Sequence, residues 1–145
     1  MLEALSTPQN RRRTYFLLLL SVAFVVAAGA IGVNDNAPGL LCALLSAMAL
    51  LLALAHPWRT SGEFLRLLYW SAISFVAFAI LHNVFEALSP RPGLPDFLQS
   101  ALGAAGIAFF FLAIFLSPAG LLIGGIGAAV MSWRTRHPHS HAAPV

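Results

Sequence analysis

The side chains with the most scope for chemistry in this chain are His82, Asn83 and Glu86, which lie close together in an apolar stretch. His82 and Glu86 are four residues apart, so both side chains would project from one face of a helix. An imidazole and a carboxylate at this spacing can bind a divalent metal ion or relay a proton. Asp35, in a short polar segment, could supply a third ligand. We therefore name His82, Asn83, Glu86 and Asp35 as a candidate polar or ion site.

A structural role competes with this interpretation. A polar group without a partner at the edge of the hydrocarbon costs about 1–3 kcal/mol, so His82 and Glu86 are predicted to pair with each other and with the Asn34–Asn36 turn. Two ligands on one helix are a weak pattern for a metal site, because zinc sites use three or four protein ligands. We favour the structural role and predict no bound metal.

Few other residues could carry chemistry. The tail contains His137, His139 and His141, but no neighbouring Cys or acid defines a coordination geometry there. Cys42 is the single cysteine and is predicted to pack as a small apolar residue. The apolar stretches hold neither paired acids nor the paired histidines that a membrane haem requires. We therefore predict that the protein is not an enzyme and has no catalytic residue and no cofactor.

The composition explains why polar side chains are so rare. Of the 145 residues, 59% are hydrophobic and 9% are charged, whereas about a quarter of an ordinary soluble chain is charged. The charges are separated by long charge-free stretches, each long enough for the roughly 20 apolar residues of a bilayer-crossing helix. This pattern predicts an all-α integral membrane protein and excludes a soluble enzyme and a nucleic-acid-binding domain.

Four transmembrane helices are predicted to position the candidate site. Their predicted bounds are 14–33, 39–55, 64–88 and 97–116. Residues 14–133 would form one transmembrane helical domain, between a basic N-terminal segment, 1–13, and a His-containing segment, 134–145. The first stretch also resembles a signal peptide with a small-residue cleavage site at Ala28-Gly29-Ala30. We prefer an uncleaved helix because the stretch is long enough to cross.

Pro118 complicates the last charge-free stretch. As one helix, residues 97–133 would measure about 55 Å, well beyond a hydrocarbon core of roughly 30 Å. Proline lacks an amide proton and clashes with the carbonyl four residues earlier, so Ser117-Pro118-Ala119-Gly120 predicts a break. We predict a short interfacial or half-inserted helix at 121–133. One tilted, kinked helix and a fifth crossing are the alternatives.

The arginines predict the orientation. With the N-terminus inside, the cytoplasmic segments carry Arg11, Arg12, Arg13, Arg59, Arg66, Arg134 and Arg136, and the outer segments carry Arg91. Such an excess of Arg on one side is typical of cytoplasmic loops. We predict a multi-pass protein of the bacterial inner membrane with both termini in the cytoplasm.

Short motifs follow one another along the chain in a distinctive order. They are Val33–Gly39, His56-Pro57-Trp58-Arg59, Leu81–Leu88 and Ser117–Gly120. Over residues 11–133 this order resembles small, uncharacterised bacterial inner-membrane proteins with four spans. The resemblance implies a four-helix fold and an inner-membrane location, and it assigns neither an activity nor a functional residue.

Small residues spaced four apart indicate close helix packing. The pairs are Ala43 with Ala47, Ala101 with Ala105, and Gly120 with Gly124. We predict a non-catalytic, polytopic inner-membrane protein that self-associates or serves as an accessory subunit of a larger membrane complex. The alternative is a small oligomeric transporter or channel with a polar site at His82 and Glu86. The predicted partners are the lipid bilayer and membrane protein, and nucleic acid is excluded.

Overall fold

A computed structural model describes residues 5–33 and 36–136, which form helices joined by short turns. The helices are α1 (Pro8–Ile31), α2 (Ala37–Ala55), α3 (Ser61–Leu88), α4 (Asp96–Phe111), a π-helical segment (Leu112–Leu116) and α5 (Ser117–Arg136). The last three continue without interruption as one helix of 41 residues, which we call the long helix. The described chain thus has four helices that are long and apolar enough to cross a membrane, as many as the sequence predicts.

The start of α1 lies well before the predicted apolar span. Thr7 caps the helix by accepting a hydrogen bond from the Asn10 amide at 3.1 Å, and Pro8 occupies the first turn. Hydropathy locates the part of a helix that fits hydrocarbon, whereas the cap locates its beginning. The three arginines of the basic segment therefore belong to α1.

A capping box formed by Thr60 and Glu63 begins α3, as the Thr-x-x-Glu pattern of the sequence indicates. The Glu63 amide donates to the Thr60 hydroxyl at 3.4 Å, and the Glu63 carboxylate accepts from the Thr60 amide at 3.0 Å. This reciprocal pair satisfies amides that the first turn of a helix leaves free. The capping box thereby fixes the short turn between α2 and α3.

The predicted helix break at Ser117–Gly120 is not confirmed, because the long helix continues through Pro118. The Ser117 amide bonds to the Leu112 carbonyl five residues earlier, and the Ser117 hydroxyl donates to the same carbonyl at 3.1 Å. A π turn inserts one extra residue into the helix. The extra residue separates the proline ring from the carbonyls of the preceding turn, so the helix need not end. Residues 121–133 consequently lie within α5 and do not form a separate short helix.

The helices form two antiparallel units. α1 packs mainly on α2, while α3 packs on α4 and α5, and α2 joins the two units by contacting α5 and the π-helical segment. A small core formed by Ala55, Phe64, Ile123 and Ala128 lies where α2 ends and α3 begins. Trp58 packs edge-on against Phe64 there, with ring centroids 5.3 Å apart.

Two serines join α1 to α2. The Ser21 hydroxyl donates to the Ser46 carbonyl at 3.0 Å, and the Ser46 hydroxyl donates to the Ser21 carbonyl at 3.0 Å. Both residues are buried. Lipid provides no alternative hydrogen-bond partner, so reciprocal bonds of this kind favour helix association. The pair sets the register of the first antiparallel unit.

Glycines allow α3 and α5 to approach closely. A Cβ atom on Gly124 would lie 2.7 Å from the Leu68 backbone nitrogen and 2.9 Å from the Phe64 carbonyl oxygen. A Cβ on Gly120 would overlap the Ser71 hydroxyl, and one on Gly127 would overlap the Phe64 ring. The two backbones are therefore in contact at Gly124, which is the small-residue mode of packing in membranes.

Gly124→Ala is expected to lower the free energy of unfolding by about 2 kcal/mol, because backbone atoms must move to admit the methyl group. Gly125→Ala is the matched control, since its Cβ would meet only the tip of Leu68, at 3.9 Å. The control is expected to raise stability by up to about 1 kcal/mol through helix propensity. Reversible unfolding in mixed detergent micelles measures both values, and equal stabilities would contradict the observed α3–α5 packing.

Candidate functional site

His82 connects α3 to α4 through a hydrogen bond to the backbone. Its Nδ1 atom lies 3.0 Å from the Gly106 carbonyl oxygen. The two helices are close at Gly106, where a Cβ would be in ordinary van der Waals contact, 3.6 Å from both the Glu86 amide nitrogen and the Phe85 Cβ. The His82 ring also packs against Phe110, with ring centroids 5.1 Å apart. The side chain is therefore held between the two helices by a polar and an aromatic contact.

The same ring contacts Glu86 through its other nitrogen. The His82 Nε2 atom lies 3.3 Å from Glu86 Oε2, and the side chains are 25% and 70% exposed, respectively. A carbonyl oxygen only accepts hydrogen bonds, so Nδ1 carries a proton in this arrangement. A hydrogen bond between Nε2 and the carboxyl group then needs one further proton, held on either atom. The His82 ring thus has a partner at each nitrogen, the Gly106 carbonyl on α4 and the Glu86 carboxyl group on its own helix.

A groove lies beside this pair at the end of α3. It has a volume of ≈ 340 Å³ and is lined by His82, Glu86, Ser89, Pro90, Gly103, Gly106 and Ile107. The Ser89 hydroxyl donates to the Gln99 carbonyl at 3.0 Å and so connects the end of α3 to α4. The groove is polar at the His82–Glu86 pair and apolar at Ile107. Its size would admit a water molecule or a small ion beside Glu86.

The other residues of the candidate site are placed differently. Asn83 is exposed and donates to the Ala79 carbonyl of its own helix at 2.7 Å. Asn36 donates to the Ile31 carbonyl at 3.0 Å, which closes the turn between α1 and α2. Asp35 lies outside the described residues, so its predicted pairing with His82 stays a prediction. The sequence did not indicate Gly106 as the partner of His82. Every residue has a backbone carbonyl, so the residue types do not reveal which one His82 contacts.

Residues 5–33 and 36–136 contain no group of three or more His, Cys, Asp and Glu side chains arranged to hold a metal ion. The His82–Glu86 pair supplies two such ligands and the Gly106 carbonyl already occupies Nδ1. The histidine tail, His137, His139 and His141, lies outside the described part of the chain. Within the described part, the pair therefore supplies fewer protein ligands than the three or four that zinc sites use.

Comparisons with protein-family models, with curated proteins and with solved structures found no match to this chain. The resemblance to bacterial four-span inner-membrane proteins thus stays a prediction.

His82→Ala is expected to lower the free energy of unfolding by about 1–2 kcal/mol, because it removes an interhelical hydrogen bond and the contact with Phe110. Asn83→Ala serves as the control and should change stability by less than about 0.5 kcal/mol, since its side chain is exposed. Unfolding in mixed micelles, with and without zinc, provides the measurement. Equal effects of the two substitutions would contradict the bridging role of His82. If zinc stabilised the protein and Glu86→Gln abolished that effect, an ion site would be favoured over the bridging role of His82.

Proposed function

We propose that this chain is a non-catalytic polytopic protein of the bacterial inner membrane whose outer helix faces pack against membrane protein. The partner is a second copy of the chain or a larger complex in which this protein is an accessory subunit. The observation that supports this proposal most directly is an apolar groove on the side of α3 that faces away from α5. We call it the α3 groove: it is shallow and open, and it is lined by Ala72, Ile73, Val76, Ala77 and Ile80.

The shape of the α3 groove favours a helix as its occupant. Ile73, Val76 and Ile80 are each more than half exposed, at 58%, 57% and 58%. Ala72 and Ala77 are also exposed and form the floor between these larger side chains. Small residues flanked by larger ones let a second helix approach closely, which is how membrane helices gain packing energy in lipid. No polar side chain lines the groove, so it offers no catalytic group.

The charges favour the orientation in this proposal. The described cytoplasmic segments would include Arg59, next to the start of α3, and Arg134 and Arg136 in the last turn of α5. α3 and the long helix are antiparallel, since Gly124 approaches Phe64 and Gly106 approaches Phe85. These three arginines therefore belong to the same end of the bundle, where the positive-inside rule favours the cytoplasm.

A small oligomeric transporter or channel is the second candidate function. It is favoured by the His82–Glu86 pair, which lies beside a groove of ≈ 340 Å³. Because four short helices are not expected to enclose a pore alone, transport would require several copies. Proton flux into protein-containing vesicles that His82→Gln abolishes and Asn83→Ala preserves would favour this candidate.

Photocrosslinking in native membranes tests the proposed packing surface. With p-benzoyl-phenylalanine at position 77, in the α3 groove, we expect crosslinks to a second copy of the chain or to one defined membrane protein. Position 104 is the control, because Ala104 is exposed on α4 and lies outside the groove. The expected crosslinking yield at position 77 is at least about fivefold higher, as close helix contact requires.

The products distinguish the possible partners. A product at twice the chain mass shows self-association, and a product of another constant mass shows an accessory subunit. Lipid adducts alone at position 77, or equal yields at positions 77 and 104, would contradict the proposal.

A further inference from the structure

A cavity of ≈ 480 Å³ opens between the start of α1 and the end of α2. It is lined by Gln9, Arg12, Arg13, Phe16, Leu17 and His56. His56 reaches the first turns of α1 because the two helices are antiparallel, with Ser21 opposite Ser46. Two guanidinium groups, an imidazole and an apolar wall thus meet in one cavity at the edge of the apolar part of α1.

The positive charges of this cavity are not neutralised within the described chain. α1 carries Arg11, Arg12 and Arg13 near its beginning and has no acidic residue in its first turn. The N-terminal end of a helix is itself the positive end of the helix dipole, so it favours anions. Across residues 5–33 and 36–136, the only ion pair is that of His82 with Glu86, far from this end. An anion in the cavity would offset the repulsion between neighbouring arginines.

His56 forms the wall of the cavity that the end of α2 contributes. Its Nδ1 atom lies 3.1 Å from the Ala53 carbonyl oxygen and therefore donates to it. This bond holds the ring against its own helix, and the accessible charges of the cavity are those of the exposed Arg12 and Arg13.

We infer that this cavity binds the phosphate group of an anionic glycerophospholipid. Arg12 and Arg13 are exposed, and guanidinium groups bind phosphate oxygens through paired hydrogen bonds. Phe16 is 63% exposed beside them and, with Leu17, offers a surface for an acyl chain. A free phosphate ion would share the charged contacts but would leave this apolar wall uncovered. Basic pockets between transmembrane helices commonly bind anionic headgroups in this way.

Native mass spectrometry of the full chain in a non-ionic detergent tests this inference, with dioleoylphosphatidylglycerol as the probe. Arg12→Gln and Arg13→Gln should each weaken the apparent Kd about fivefold, and the double substitution about 30-fold. Arg11→Gln is the matched control: it removes the same charge from a neighbouring residue that does not line the cavity. We expect it to weaken binding by less than about twofold, because nearby exposed charges are partly screened.

Two competing probes identify the ligand. Dioleoylphosphatidylcholine, which has the same acyl chains but no net charge, should bind at least about tenfold more weakly. Inorganic phosphate in excess should not displace phosphatidylglycerol. Displacement by inorganic phosphate would overturn the lipid assignment. Equal binding of the two lipids, or an equal loss in Arg11→Gln, would overturn the site itself and leave only general attraction to a basic segment.

Discussion

The contact of α3 with α5 at Gly124 is the constraint on which the rest of the fold depends. Lipid tails are as apolar as the side chains of the helices, so burial of apolar area does not drive these helices together. Close backbone contact does, and it needs residues without side chains at the crossing. Gly124 meets the Leu68 backbone there, and the core of Phe64, Ile123 and Ala128 forms around it. α2 packs on this pair, and α1 is added through α2.

Polar side chains fix the positions of the helices that this contact brings together. Ser21 and Ser46 join α1 to α2 through buried reciprocal bonds, and His82 joins α3 to α4 through the Gly106 carbonyl. Each bond ends on the backbone of another helix. The few polar residues of the spans therefore specify register, while the outer faces of α1 and α3 remain apolar and free to contact lipid or protein.

The parts of the fold that depend on local sequence could be predicted, and those that depend on neighbours could not. The charge-free stretches predict the four helices, and Thr60 with Glu63 indicates the start of α3. Both patterns depend on residues within one segment of the chain. The helix break predicted at Pro118 was not confirmed, because the π turn that accommodates the proline depends on the helix as a whole and not on Pro118 alone. In the candidate site, the pairing of His82 with Glu86 followed from their spacing on one helix. Gly106 could not be found, because nothing in the spans shows that α4 lies beside His82.

In the proposed topology, the long helix crosses the membrane once, antiparallel to α3, despite Pro118. Single cysteines at Gly62, Pro92 and Thr135, all exposed positions, test it in a Cys42→Ser background. In sealed vesicles of known orientation, a membrane-impermeant maleimide should label positions 62 and 135 from the same side and position 92 from the opposite side. Labelling of position 135 from the same side as position 92 would contradict the account.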